Sequence, residues 1–256
     1  MTFERPIANL RIFQLDYRQT GRMIIMNHLV VFDFDGTLAN SLPMFLDSAV
    51  EYSTTNDLPK PCLETLTYGY GHPDEHDFGW KVCKDTQREH LYNIYRMMDT
   101  IDPATELHKV PPLFDGVFET LHKLEELGHE LAIVTAKPFA PLKVIIEHHD
   151  IHARFKSIRS YDDFEKRGER QKPHPDQLLS VMNEMDYSPD QTIMVGDTTM
   201  DIKMGKSAGT TAVGVTWGNH EENHLLDAGA DVVLTDHFSD LLEVVKNHRL
   251  ESQKSA

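Results

Sequence analysis

The chain has 256 residues, 40% of them hydrophobic, with 25 Lys and Arg against 41 Asp and Glu and a formal net charge of −16. That length accommodates one to two domains with a sizeable core. The acidic balance argues against nucleic acid or an anionic membrane as partner, since either is repelled at long range.

Residues 1–26 form an N-terminal extension carrying Arg5, Arg11, Arg18 and Arg22 against only Glu4 and Asp16. Leu10 and Ile12, followed by Phe13, Leu15 and Tyr17, alternate as an extra edge strand would. A continuous apolar stretch ahead of a small-residue cleavage site is lacking, so the segment does not read as a secretory signal. Met23 and Met26 stand just before the first strong strand and are alternative starts.

From Leu29 the pattern becomes regular. Strands are predicted at Leu29–Phe34, Leu131–Thr135, Thr192–Val195, Thr211–Val215 and Asp231–Leu234. Between them, Gly116–Leu127, Pro141–His148, Asp176–Met185, Asp201–Ala208 and Phe238–His248 have helical periodicity. In the first of these, Val117, Leu121, Leu124 and Leu127 share one face and Gly128 marks the stop. Strands alternating with crossover helices imply the α/β class, a doubly wound, Rossmann-like parallel sheet covered on both faces.

Residues 43–111 break that alternation with helical pattern and no strand, most clearly at Thr86–Asp99, where Leu91, Ile94, Tyr95 and Met98 recur at helical spacing. An interval so long is no ordinary loop. It reads as a helical cap domain inserted after the first core strand, with Asn40–Pro43 and Pro111–Pro112 at its two ends. The core then comprises residues 27–42 and 112–250, and Glu251–Ala256 reads as a disordered tail. Apolar runs such as Leu29–Phe32 fall far short of the ~20 residues that span a bilayer. Cys62 and Cys83 lack CxxC spacing, which excludes a zinc site and fits a reducing, cytoplasmic setting.

Chemistry concentrates at strand ends. Val30-Val31-Phe32-Asp33-Phe34-Asp35-Gly36-Thr37-Leu38 is an apolar strand running into two carboxylates, and ligands of open parallel sheets bind outside such carboxyl ends. A calcium loop is the competing reading, but such loops carry more oxygen ligands in a longer run. Met194-Val195-Gly196-Asp197-Thr198-Thr199-Met200-Asp201 repeats the arrangement, its glycine permitting a tight reversal and Asp201 opening a helix. Four acids at two strand ends need a cation to limit their repulsion, and hard oxygen donors without matching His or Cys point to Mg²⁺ held by Asp33, Asp35, Asp197 and Asp201. Thr135, in Val134-Thr135-Ala136-Lys137, ends a third strand, where its hydroxyl and the backbone N–H groups of the turn suit an anion. Lys172 lies in a polar loop fixed by Pro173 and Pro175. Read singly, Thr135 is a common kind of helix cap and Lys172 is what solvated surface usually carries.

These four segments, in this order, resemble the haloacid dehalogenase-like hydrolase superfamily from about Leu29 to Leu242. The resemblance implies Asp33 as nucleophile, Asp35 as general acid/base, Thr135 and Lys172 as phosphate and aspartate binders, and Asp197 as a Mg²⁺ ligand. Asp201 would support that site, and the backbone carbonyl of Asp35 would also hold the metal. A second aspartate in the first motif points to phosphoryl transfer rather than dehalogenation. The helical insert, with Ala212-Val213-Gly214-Val215-Thr216-Trp217-Gly218 and Ala228-Gly229-Ala230-Asp231, resembles the phosphoglycolate phosphatase-like group, although Ala136 stands where that group often has Asn.

The expectation is therefore a Mg²⁺-dependent phosphatase, monomer or homodimer, acting on a small phosphorylated substrate such as phosphoglycolate. A phosphomutase or pyrophosphatase of the same fold, and a non-catalytic binding module, are the alternatives. Thr37 and Ala136 adjoin the motifs as further candidate substrate contacts. Tyr70 and His72, in an aromatic, glycine-rich stretch reaching Trp80, belong either to a substrate-reading loop or to an ordinary connection. His72, Asp74, Glu75, His76 and Asp77 superficially suggest a second metal site, but a chain with 15 histidines makes such clusters by chance, and His148 and His149 read as a solvated helix end.

Overall fold

Leu29–Phe32 forms the first strand, β1, and all four side chains are buried because the strand is covered on both faces. Val30 and Phe32 pack with Leu121, Leu124, Leu142 and Ile145 on one side, while Leu29 and Val31 pack with Leu178, Val181, Met194 and Met204 on the other. The structure is a computed structural model describing residues 27–70, 82–100, 105–106 and 109–255. The Leu10–Tyr17 alternation, Met23, Met26 and the His72–Asp77 cluster lie outside the described residues.

Five further strands follow: β2 (Glu130–Val134), β3 (Phe155–Arg159), β4 (Thr192–Gly196), β5 (Thr211–Val215) and β6 (Val232–Leu234). All pair in parallel in the order β3-β2-β1-β4-β5-β6, the doubly wound arrangement expected. Helices α4 (Val117–Glu126), α5 (Phe139–His148), α6 (Tyr161–Arg167), α7 (Asp176–Met185), α8 (Thr199–Ala208), α9 (Glu222–Asp227) and α10 (Leu241–Ser255) make the crossovers and the closing helix. Preceding them, α1 (Leu42–Thr55), α2 (Leu63–Gly69) and α3 (Lys84–Met98) form the inserted cap around a separate apolar cluster of Phe45, Ala49, Leu66, Leu91, Ile94 and Met98. The two strands of chain joining cap to core run side by side. Asn40 N–H donates to the Pro112 carbonyl at 2.8 Å, and Ala39 bridges Leu113.

The sequence does not announce β3 or α6, because β3 is an edge strand whose Lys156 points to solvent, so no continuous apolar run marks it. α9 also went unforeseen. β1 stops at Phe32 rather than Phe34, since the Phe34 carbonyl already accepts from Leu38 and Ala39 in the following turn. α8 starts at Thr199 rather than Asp201: Thr198 is its N-cap and Asp201 its reciprocal partner in a capping box. The tail is corrected too, because α10 continues through Glu251 to Ser255, with good helix formers and no Gly or Pro to end it. His149 is half-buried, its Nε2 2.8 Å from the Pro111 carbonyl at the cap junction, rather than a solvated end. Among the described residues no helix is long and apolar enough to cross a membrane.

Candidate active site

Asp33 directly follows β1, and its N–H donates to the Val195 carbonyl of β4 at 2.9 Å. Its carboxylate therefore leaves the sheet between β1 and β4, where the strand order reverses and ligands of such sheets bind. Asp197 leaves the end of β4 beside it, and Asp201 rises from the first turn of α8. One oxygen from each of Asp33, Asp197 and Asp201 lies within 4.8 Å of the others, and all three residues are buried.

Each acid is held by different partners. Lys172 Nζ stands 2.8 Å from Asp33 Oδ1 and 2.6 Å from Asp201 Oδ1. Asp201 Oδ2 accepts from Thr198 Oγ1 at 2.6 Å and Thr198 N at 3.1 Å, so both its oxygens are engaged. Asp197 Oδ1 accepts from Thr37 Oγ1 at 2.8 Å, and its Oδ2 accepts from the Asn219 N–H at 2.9 Å and Nδ2 at 2.8 Å. Gly196 serves by leaving room rather than by reversing the chain, because a Cβ there would lie 2.3 Å from the Asp201 Cβ.

Burial raises the Asp33 carboxyl to about 7, with Asp201 adding to the rise and Lys172 opposing it. Burial, then Asp201 and Asp33, push Asp197 well above the usual carboxylate range. Burial works against the Lys172 ammonium, yet Asp201 and Asp33 more than offset it and keep it charged. Three clustered acids answered by one lysine leave a negative excess in a buried place, and a small divalent cation with oxygen ligands fits that excess.

Asp35 turns away from this cluster. Its Oδ2 lies 3.3 Å from Lys137 Nζ, which is also 2.7 Å from Asp99 Oδ1 at the end of the cap helix α3. The other oxygen, Oδ1, is buried with no hydrogen-bond partner. Thr135 and Ala136 lie on the turn after β2, where the Thr135 hydroxyl accepts the Lys137 N–H at 3.1 Å and Ala136 is exposed. Thr37 is fully buried and spends its hydroxyl on Asp197, so it buttresses that acid instead of facing a substrate. Tyr70 follows α2 as its C-cap, and its side chain packs in the cap core, ring against Phe45 and Tyr95, its hydroxyl 3.1 Å from Ser41 Oγ. His72 lies outside the described residues.

Sequence reasoning missed Lys137, Asp99 and the Trp217–Asn219 turn. Lys137 was visible as a cation directly after a strand end, but Asp99 carried no signal. Trp217 Nε1 donates to the Thr37 carbonyl at 3.1 Å, and a Cβ on Gly218 would lie 2.3 Å from both Asp197 Oδ2 and the Gly36 carbonyl. Gly36 itself has φ +79, a left-handed conformation that glycine adopts without penalty. A cavity of about 1240 Å³, lined by Asn40, Asp47, Glu51, Arg96 and Lys109 among others, opens between α1, α3 and the cap junction. It touches none of the clustered acids, so the chemistry and not the volume locates the site.

A doubly wound sheet with acids at the ends of β1 and β4, a buried lysine between them and an inserted helical cap define a capped α/β hydrolase. The profile of the haloacid dehalogenase-like hydrolases matches residues 30–215, and the chain belongs to that family. It is 31% identical over 218 residues to "Probable phosphatase IndB" of Dickeya dadantii, covering 85% of this chain and 93% of that one. It is 31% identical over 227 residues to a phosphoglycolate phosphatase of Mannheimia succiniciproducens, covering 85% and 97%. A haloacid dehalogenase-like family hydrolase of Streptococcus pneumoniae shares the fold, with a TM-score of 0.69, 24% identity and coverage of 86% and 98%.

Proposed function

We propose that this haloacid dehalogenase-like phosphatase is a Mg²⁺-dependent phosphomonoester hydrolase acting on a metabolite of about phosphoglycolate's size through an aspartyl-phosphate on Asp33. The observation that carries the reading is the buried cluster of Asp33, Asp197 and Asp201 around Lys172. Asp33 is the one of these acids that ends β1 and retains an oxygen free of the lysine. Asp33 and Asp197, with the Asp35 backbone carbonyl, would hold the Mg²⁺, and Asp201, already engaged by Lys172 and Thr198, would stand behind them. The cation supplies charge neutralisation for an incoming phosphate dianion.

An oxygen of the Asp33 carboxylate attacks phosphorus, and the bond from phosphorus to the ester oxygen breaks as the new one forms. Lys172 stabilises charge on the phosphoryl oxygens. The Thr135 hydroxyl and the N–H groups of its turn orient them. Asp35, protonated, gives its proton to the leaving oxygen, a contribution typically worth ~10²–10⁴ in rate. Asp35, now ionised, takes a proton from the water that attacks the aspartyl-phosphate, releasing inorganic phosphate and restoring Asp33. Its partnerless Oδ1 is the atom suited to both transfers. The cap keeps other water away. Two exposed cysteines, neither in a disulfide, support a cytoplasmic setting.

The test is phosphate release from a panel of phosphorylated metabolites with and without Mg²⁺. Turnover that needs the metal is expected, and its absence across the panel would overturn the reading.

A further inference from the structure

Around Asp35 the cap contributes groups of its own. Asp99, at the C-terminal end of α3, reaches Lys137 Nζ at 2.7 Å, and the same ammonium lies 3.3 Å from Asp35 Oδ2. The lysine side chain is only 2% exposed, whereas those of Asp35 and Asp99 are 19% and 16% exposed. What reaches this space from the polar side is therefore carboxylate, with the ammonium sealed behind. Among the described residues no second cation pairs with either acid. The neighbouring Tyr70 phenol is held well above its ordinary range by burial and then by Asp35, so it stays an uncharged hydroxyl linked to Ser41.

We infer that the space over Asp35 admits a neutral, hydroxyl-bearing leaving group and rejects one with its own anionic charge beside the ester oxygen. This rests on the phosphatase reading, in which the leaving oxygen meets Asp35. Lys137 Nζ is already answered by Asp99 at 2.7 Å and by Asp35 at 3.3 Å, so among the described residues no positive charge is left for a carboxylate or a second phosphate, and like charges forced together at a desolvated contact are strongly disfavoured. A hydroxyl, by contrast, can donate to the Asp99 carboxylate. Asp99 is thus the specificity-determining residue, because it pairs with Lys137, a cation that would otherwise draw an anionic leaving group.

Two probes isolate the effect: phosphoglycolate and 2-hydroxyethyl phosphate share a CH₂–O–phosphate unit and differ in carboxylate against CH₂OH. With Mg²⁺ present, kcat/KM of the wild-type chain should favour 2-hydroxyethyl phosphate by at least about tenfold. Asp99→Asn, which removes the nearer of the two carboxylates beside Lys137, should shrink that ratio by about fivefold or more, and Asp99→Glu should restore it. A merely structural role would lower both substrates together and leave the ratio unmoved. Equal or greater wild-type efficiency on phosphoglycolate, or an unchanged ratio in a folded Asp99→Asn, overturns the inference. If that variant does not fold, the wild-type comparison decides alone. p-Nitrophenyl phosphate separates the two levels of the argument: turnover of it alongside a preference for phosphoglycolate sinks only the inference. No Mg²⁺-dependent turnover of any of the three sinks the phosphatase reading and the inference with it.

Discussion

Lys172 Nζ lies 2.8 Å from Asp33 Oδ1 in a largely buried place, so the proposed nucleophile and its counter-charge are paired before any substrate arrives. Removing one member of a buried ion pair commonly costs ~3–5 kcal/mol. Lys172→Met should therefore lower the melting temperature and reduce turnover by ~10²-fold or more. Since Asp33 can take up a proton near pH 7, the stability loss should be greater at pH 8 than at pH 6. Thermal melts at the two pH values check this, and equal losses would contradict the assigned pairing.

Asp33→Asn should abolish turnover and covalent phosphate together, because a neutral amide cannot form the acyl-phosphate. Asp35→Asn keeps the nucleophile but removes the proton donor and later the base. With p-nitrophenyl phosphate, whose leaving group needs little protonation, phosphate should accumulate on Asp33 in that variant. Acid quench and intact-mass measurement would show added phosphate in the Asp35 variant and none in the Asp33 variant. Wild-type turnover by Asp33→Asn would refute the mechanism.

The acid cluster makes metal-free stability depend on pH. Asp33 is raised from 3.8 to about 7 and Asp197 well above 3.8. Between those limits the folded chain holds protons that the unfolded chain has lost, so stability falls as pH rises through the window. Asp197→Asn removes one repelling charge, and its amide can still accept from Asn219 and donate to Thr37. At pH 8 without metal the variant should melt above the wild type by ~2–4 °C for each kcal/mol regained, with the gap closing toward pH 5. Mg²⁺ should then raise the wild type more than the variant. Comparing the two chains cancels the contribution of the 15 histidines. A gap of the same size at both pH values would count against the electrostatic account.

Gly218→Ala forces a methyl group to within 2.3 Å of Asp197 Oδ2 and of the Gly36 carbonyl, so the Asp197 carboxylate must shift. Turnover should fall by at least ~10²-fold, as a displacement of about 1 Å in a positioned group can cost, and the Mg²⁺ concentration needed for half-maximal activity should rise. Activity and metal dependence like those of the wild type would mean that this turn does not position Asp197.

Asp33 and Asp35, and likewise Asp197 and Asp201, were legible from sequence because covalent spacing alone puts Asp33 and Asp197 directly after an apolar strand and Asp35 and Asp201 in the turn or helix that follows it. A buried strand in a doubly wound sheet has its own signature, and α/β alternation follows from the same periodicities that bury Val30 against Leu121 and Val31 against Leu178. Lys172 was legible only through the resemblance, since nothing local distinguishes it from a surface lysine. What the tertiary structure alone decided are meetings between segments with no shared local pattern. Asp99 ends a cap helix and meets Lys137 of the core, Asn219 and Gly218 close over Asp197 from the turn after β5, and Thr37 turns inward to Asp197. β3 stayed hidden because an edge strand needs an apolar side chain only at alternate positions, and the packing of Tyr70 was not legible because an aromatic residue reads alike in a binding loop, a connection and a cap core. Periodicity encodes which face of an element is buried, whereas the identity of the partner across that face depends on how distant elements are brought together, and the site's second layer is built from such partners.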